Sequence, residues 1–112
     1  RSNPPADLFE EILELQEDME TFRGLVSEHD SPERDELRQK LQREREHLEG
    51  RQAEMEKLLR EKYQEWDQLQ NVKTDQGKTH EQKKSVLRSM QEILSNRTYI
   101  CNMVNELLET TG

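Results

Sequence analysis

The feature that most constrains this chain is the spacing of its few apolar residues. Beginning at Leu8 they fall at 8, 12, 15, 19, 22 and 26, in alternating steps of four and three. Only an α-helix brings such positions onto one face. Phe9 and Leu13 lie beside this stripe and widen it. Pro4 and Pro5 disfavour helix before it, and Asp7 suits an N-terminal cap region. The first helix is therefore expected at about 7–28.

Ser31 followed by Pro32 is the first strong break, an N-cap residue and a first-turn proline. Asp30 and Glu33 offer an alternative capping-box spacing one residue earlier. A second helix then carries Leu37, Leu41, Leu48, Met55, Leu58, Leu59, Tyr63, Trp66 and Leu69 without a proline. It is expected over about 32–72. Its middle is thinly apolar, with Glu44 and Arg51 where a homodimeric zipper places aliphatics. Gly77 reads as the next stop, and Thr79 with Gln82 has capping-box spacing. The third helix, about 80–109, has the densest apolar pattern, from Val86 to Leu108. Short connections make consecutive helices antiparallel neighbours. The expectation is an all-α single domain of three long helices in an antiparallel bundle, coiled-coil-like in pattern, with the second helix longest. Folding back at the second break should pack Tyr63 and Trp66 on the start of the third helix.

Composition narrows the function classes. Apolar residues are 29% and charged residues 38% of 112, with a net charge of −8. That balance is far from the roughly 45–50% apolar of an ordinary globular domain. No apolar run approaches the ~18 residues of a membrane span, and no signal-peptide pattern opens the chain. The expected location is the cytoplasm, or an organelle matrix. A lone cysteine, Cys101, forms no internal disulfide and is expected to be a buried thiol. The acidic balance opposes nucleic-acid binding. His29, His47 and His80 sit among polar residues and read as solvated side chains. Glu44 and His47 have a di-iron-like spacing, but such sites need two such motifs and two further glutamates. No phosphate-binding glycine loop or catalytic triad can be assembled. Neither an enzyme nor a cofactor or metal site is expected, which leaves a binding surface.

The acids locate that surface. Seven of them (Asp7, Glu10, Glu11, Glu14, Glu17, Asp18, Glu20) occupy the first 20 residues against a single base, Arg1. The helix dipole accounts only for those of the first turn. Glu14 and Glu17 flank Phe9 and Leu13, an apolar pair at the edge of the core stripe. Such a pair framed by carboxylates suits a basic and apolar partner, the alternative being a merely solvated acidic face.

The run from Leu8 to Met19 resembles the opening of the C-terminal domain of HscB-type J-protein co-chaperones. There an apolar pair is followed by a Met/Ile-x-Leu/Ile-Glu-Leu/Ile-x-Glu-x-Leu pattern. The run from Glu92 to Met103 resembles the last helix of the same domain, and the two runs cover about a quarter of the chain. The resemblance implies a three-helix bundle that holds an iron–sulfur cluster scaffold protein of the IscU type. It implies a partner-binding face made of Phe9, Leu13, Glu14, Glu17 and Tyr99. In that family a separate J domain with a His-Pro-Asp motif stimulates Hsp70. This chain contains no such motif, which implies an excised domain or a J-less relative that reaches Hsp70 only through a J domain elsewhere. Glu10 stands where the family has an apolar contact and Thr21 where it often has an acid. The competing expectation is a structural or adaptor segment that homodimerises along its second helix, through residues 41, 48, 55, 58, 59 and 66.

Overall fold

The structure is a computed structural model that describes residues 6–25, 31–71 and 76–112. Three helices, and no strand among the described residues, make up the fold: α1 (Ala6–Gly24), α2 (Pro32–Gln70) and α3 (Gln76–Thr111). Helix α2 is the longest at 39 residues. None is long and apolar enough to cross a membrane.

Local chemistry accounts for the α2 start. Ser31 is extended at φ −122°, and its Oγ accepts a hydrogen bond from the Arg34 N–H at 3.1 Å. Pro32 takes the first helical position, where its missing N–H has no intrahelical partner to lose. The end of α1 is earlier than its apolar spacing predicts. The Leu25 N–H closes the last turn on the Thr21 and Phe22 carbonyls, just past Gly24; positions 26–28 of the expected helix, and His29 and Asp30, lie outside the described residues. Helix α3 starts four residues before its expected position. Gly77 is inside its first turn rather than a stop, and Thr79 is not a cap but a buried side chain. A glycine costs at most about 1 kcal/mol in a helix, and tertiary context routinely overrides it.

Interhelical contacts set the topology. Arg38 donates to the Thr111 carbonyl, Gln52 to Cys101 and Arg97 pairs with Glu56, so α2 and α3 run antiparallel. Arg51 reaches Glu11 and Lys40 reaches Asp18, so α1 is antiparallel to α2. Arg23 meets Glu106 and Thr110, which leaves α1 parallel to α3. The α2–α3 hairpin gives the molecule its 69 Å length. The shorter α1 covers one face of one half, near the start of α2 and the end of α3.

The main core lies where all three helices meet. Leu8, Ile12, Leu15, Met19 and Phe22 of α1 pack with Leu41 and Leu48 of α2 and with Ile100, Met103, Val104 and Leu107 of α3. From Leu8 to Phe22 the expected α1 stripe is thus the buried stripe; its last position, 26, lies outside the described residues. Leu41 and Leu48 are fully buried within one chain, so the seam expected for homodimerisation along α2 is largely consumed internally. A second, smaller core holds the far half of the hairpin: Leu59, Val86 and Met90, with Trp66, Leu69 and Ile93 partly buried against them. Trp66 packs on the early part of α3 as expected, whereas Tyr63 is left 48% exposed. Among the described residues only α2 and α3 run there, with no third layer to cover it. Because Trp66 is only half-buried, Trp66→Ala should cost about 2 kcal/mol, less than the ~3–5 of a fully enclosed aromatic. Urea unfolding followed by circular dichroism measures it.

Candidate functional site

Helix α1 has three distinct sides, and its neighbours define them. The buried stripe faces both other helices. Glu11 and Asp18, three residues beyond Leu8 and Leu15, turn toward α2. Glu11 Oε2 accepts from Arg51 Nη1 at 2.8 Å, and Asp18 Oδ2 lies 2.9 Å from Lys40 Nζ. Asp7 is 3.8 Å from Arg51 and His47 Nε2 is 3.6 Å from Glu11 Oε1. The Glu11 side chain is only 18% exposed, and its Oε1 makes no hydrogen bond. Arg51 occupies an apparent gap in the apolar pattern of α2 because an acid of α1 sits over it. Part of the negative charge of the first 20 residues is therefore neutralised by α2.

Lys40 feels this acidic side. Its hydrogen bond to Asp18, and then the charge of Asp18, hold its pKa above the ordinary 10.5, with Glu14 and Glu44 adding to the effect and desolvation opposing it. A base whose pKa rises on folding stabilises the fold at all pH values below its unfolded pKa. That contribution fades only as pH rises through the folded value, in the alkaline range above 10.5. Lys40 is half-exposed, so the gain is small. Asp18→Asn is expected to bring the Lys40 pKa back toward 10.5, measurable by an NMR titration of its side-chain methylene.

The third side of α1 carries Phe9 and Leu13, which are 51% and 44% exposed. They lie about 100° round the helix from Leu8 and Ile12, away from α2. Arg23 marks this side as the one that meets α3, through Glu106 and Thr110. Tyr99 lies two turns before Glu106 on the same side of α3 and is 37% exposed. Taking the Arg23 contacts as the register, Leu13 and Tyr99 sit within roughly one turn (~5 Å) of each other along the bundle axis. Phe9, Leu13 and Tyr99 are thus placed along the same α1–α3 flank.

The two carboxylates divide. Glu17 is exposed one turn beyond Leu13 and borders the apolar flank. Glu14 is exposed on the outer face, toward Lys40, and lines a shallow depression of about 430 Å³ with Asp7, Glu10, Glu11 and Leu13. Glu10 adds a further acid to this depression. The Thr21 hydroxyl donates back to the Glu17 carbonyl at 3.0 Å. Lys40 was not singled out from the sequence, and Arg51 only as a gap in the apolar pattern of α2. Their signal was present: acids at 11 and 18 are answered by bases at 51 and 40 in reverse order, as antiparallel helices require.

The lone thiol is not enclosed. Cys101 is half-buried, and Gln52 Nε2 lies 2.9 Å from its Sγ. It lies on the side of α3 away from α1, where only α2 adjoins it. His47 and His80 are exposed. Among the described residues no group of three or more His, Cys, Asp or Glu side chains is arranged to hold a metal ion.

Comparison of the chain with protein-family profiles, with curated proteins and with solved structures gave no match.

Proposed function

We propose that this chain is a non-catalytic protein-binding bundle whose α1–α3 flank docks a folded partner, an iron–sulfur cluster scaffold of the IscU type. The observation that carries the reading is the exposure of Phe9, Leu13 and Tyr99 on one flank, bordered by Glu17, with Glu14 on the adjoining outer face. Clustered aromatic and aliphatic side chains supply binding energy on desolvation, and rim carboxylates steer a basic partner into register. The choice of scaffold rests on the resemblance of the α1 and α3 segments to the HscB-type domain. The chain lacks His-Pro-Asp, so the role proposed for it is to hold the scaffold, with Hsp70 stimulation left to a J domain.

Calorimetry with an IscU-type scaffold protein tests this. Leu13→Ala should weaken binding at least ~10-fold, about 1.4 kcal/mol, without changing the melting temperature appreciably, because Leu13 lies outside the core. Absence of heat at about 100 μM scaffold, a concentration far above a micromolar Kd, would overturn the proposal. So would an unchanged affinity for Leu13→Ala.

A further inference from the structure

Helix α3 carries a second apolar stripe, separate from the one that builds the core. Leu87, Leu94, Cys101 and Leu108 recur at seven-residue intervals. The three leucines are 45%, 37% and 44% exposed, and Cys101 is half-buried. Gln52 and Glu56 of α2 adjoin this side through Cys101 and Arg97, whereas α1 adjoins the other side through Glu106 and Thr110. The stripe therefore has α2 at one edge and, among the described residues, no helix over it. Tyr63, seven residues after Glu56, widens it from α2 with a half-exposed ring.

We propose that two copies of this chain associate antiparallel along α3 through Leu87, Leu94, Cys101 and Leu108. A strict seven-residue repeat is what a helix needs to keep one seam against another helix. Three heptads span about 32 Å. The surroundings of the stripe suit a contact between protein surfaces. Only Glu92 and Arg97 are charged among the 17 residues from 89 to 105, in a chain that is 38% charged. Arg97 is already paired with Glu56. Charge depletion of this kind marks the cores of protein interfaces rather than free helix faces.

The ends of the stripe argue for a second copy and for its direction. Lys83, Lys84 and Arg88 stand at one end, and Glu109 at the other. A parallel pair would set the three bases against their own copies. An antiparallel pair sets Leu94 opposite the partner's Cys101 and Leu87 opposite the partner's Leu108. Lys84 then comes beside the partner's Glu109, on the same side of the seam. The surface is complementary to itself, as a two-fold interface must be. It is separate from the α1–α3 flank, so a dimer leaves Phe9, Leu13 and Tyr99 free.

Sedimentation velocity from about 5 to 500 μM, a range chosen to bracket micromolar dissociation constants, tests the association. The expected species at the upper end has twice the 13.4 kDa of one chain. Leu94→Glu should keep the helical signal and melting curve of the monomer and weaken association at least ~10-fold. Lys84→Glu and Glu109→Lys should each weaken it, and the double variant should restore it. Oxidation of Leu94→Cys with diamide, which takes two electrons and two protons from two thiols, should give a disulfide-linked dimer through Cys101, while the native chain should give none. A monomer throughout the range, or a dimer indifferent to Leu94→Glu, overturns the proposal. Cross-linking of the native chain through Cys101 alone overturns the antiparallel register. Scaffold binding by Leu94→Glu is expected to be unchanged, so this test and that of the α1–α3 flank fail independently.

Discussion

Phe22→Ala should destabilise the protein by about 3–4 kcal/mol, the range of a fully enclosed aromatic truncated to a methyl. Phe22 is 1% exposed at the end of the α1 stripe. The Arg34 and Arg38 guanidinium carbons lie 4.9 and 5.2 Å from the centre of its ring. Truncation removes the buried ring and leaves both cations without its π-face, an interaction of about 0.5–1 kcal/mol where partly exposed. It also loosens the last turn of α1, which holds Arg23 against Glu106 and Thr110. Chemical denaturation gives the value directly. A cost below about 1 kcal/mol, typical of a surface position, would mean that α1 does not close on α2 and α3 as described.

The largest effect is expected from removing residues 1–30. Leu8, Ile12, Leu15, Met19 and Phe22 would leave the core, and Leu41, Leu48, Ile100, Met103 and Leu107 would face water. At roughly 1.5–3 kcal/mol per buried side chain, the loss is comparable to the whole stability of a small domain, about 5–15 kcal/mol. The remaining hairpin should keep much of its far-UV circular dichroism, bind a hydrophobic dye and lose its sharp thermal transition. The smaller core around Leu59, Val86 and Met90 is too thin to sustain a cooperative transition. A sharp melt in the truncated chain would show that the α2–α3 hairpin is an independent unit.

These two predictions rest on features the sequence made legible to different degrees. The α1 stripe could be read from Leu8 to Phe22, because five residues at three- and four-residue steps admit one conformation and one buried face. The α2 start could be read too, since Ser31 and Pro32 act locally. The start of α3 could not. Gly77 is a local stop signal, but whether a helix continues through it depends on packing at the turn of the hairpin. The polar middle of α2 was likewise misleading by itself. Arg51 looks like a defect in an apolar seam until Glu11 of α1 lies over it. The α3 pattern from Val86 to Leu108 read as one dense stripe, whereas packing splits it into a buried set and an exposed heptad set. Which of two adjacent stripes is covered depends on where α1 docks, and that is a tertiary property.

Of the candidate binding face, Phe9, Leu13, Glu14 and Glu17 were picked out from the acids and apolar pair of α1, and Tyr99 only through the family resemblance; their arrangement was not legible. Phe9, Leu13 and Glu17 follow from helical spacing alone. That Tyr99 joins them requires α1 and α3 to run parallel, which the Arg23 contacts fix. That Glu14 leans toward α2 requires Lys40.

The most direct test of the binding face is an NMR titration of the isotope-labelled chain with unlabelled IscU-type scaffold. The account predicts that amide shifts concentrate at Phe9, Leu13, Glu14, Glu17 and Tyr99, with Leu58 and Tyr63 in the far half of the hairpin unmoved. Shifts centred on that far half, or none at saturating scaffold, would contradict it.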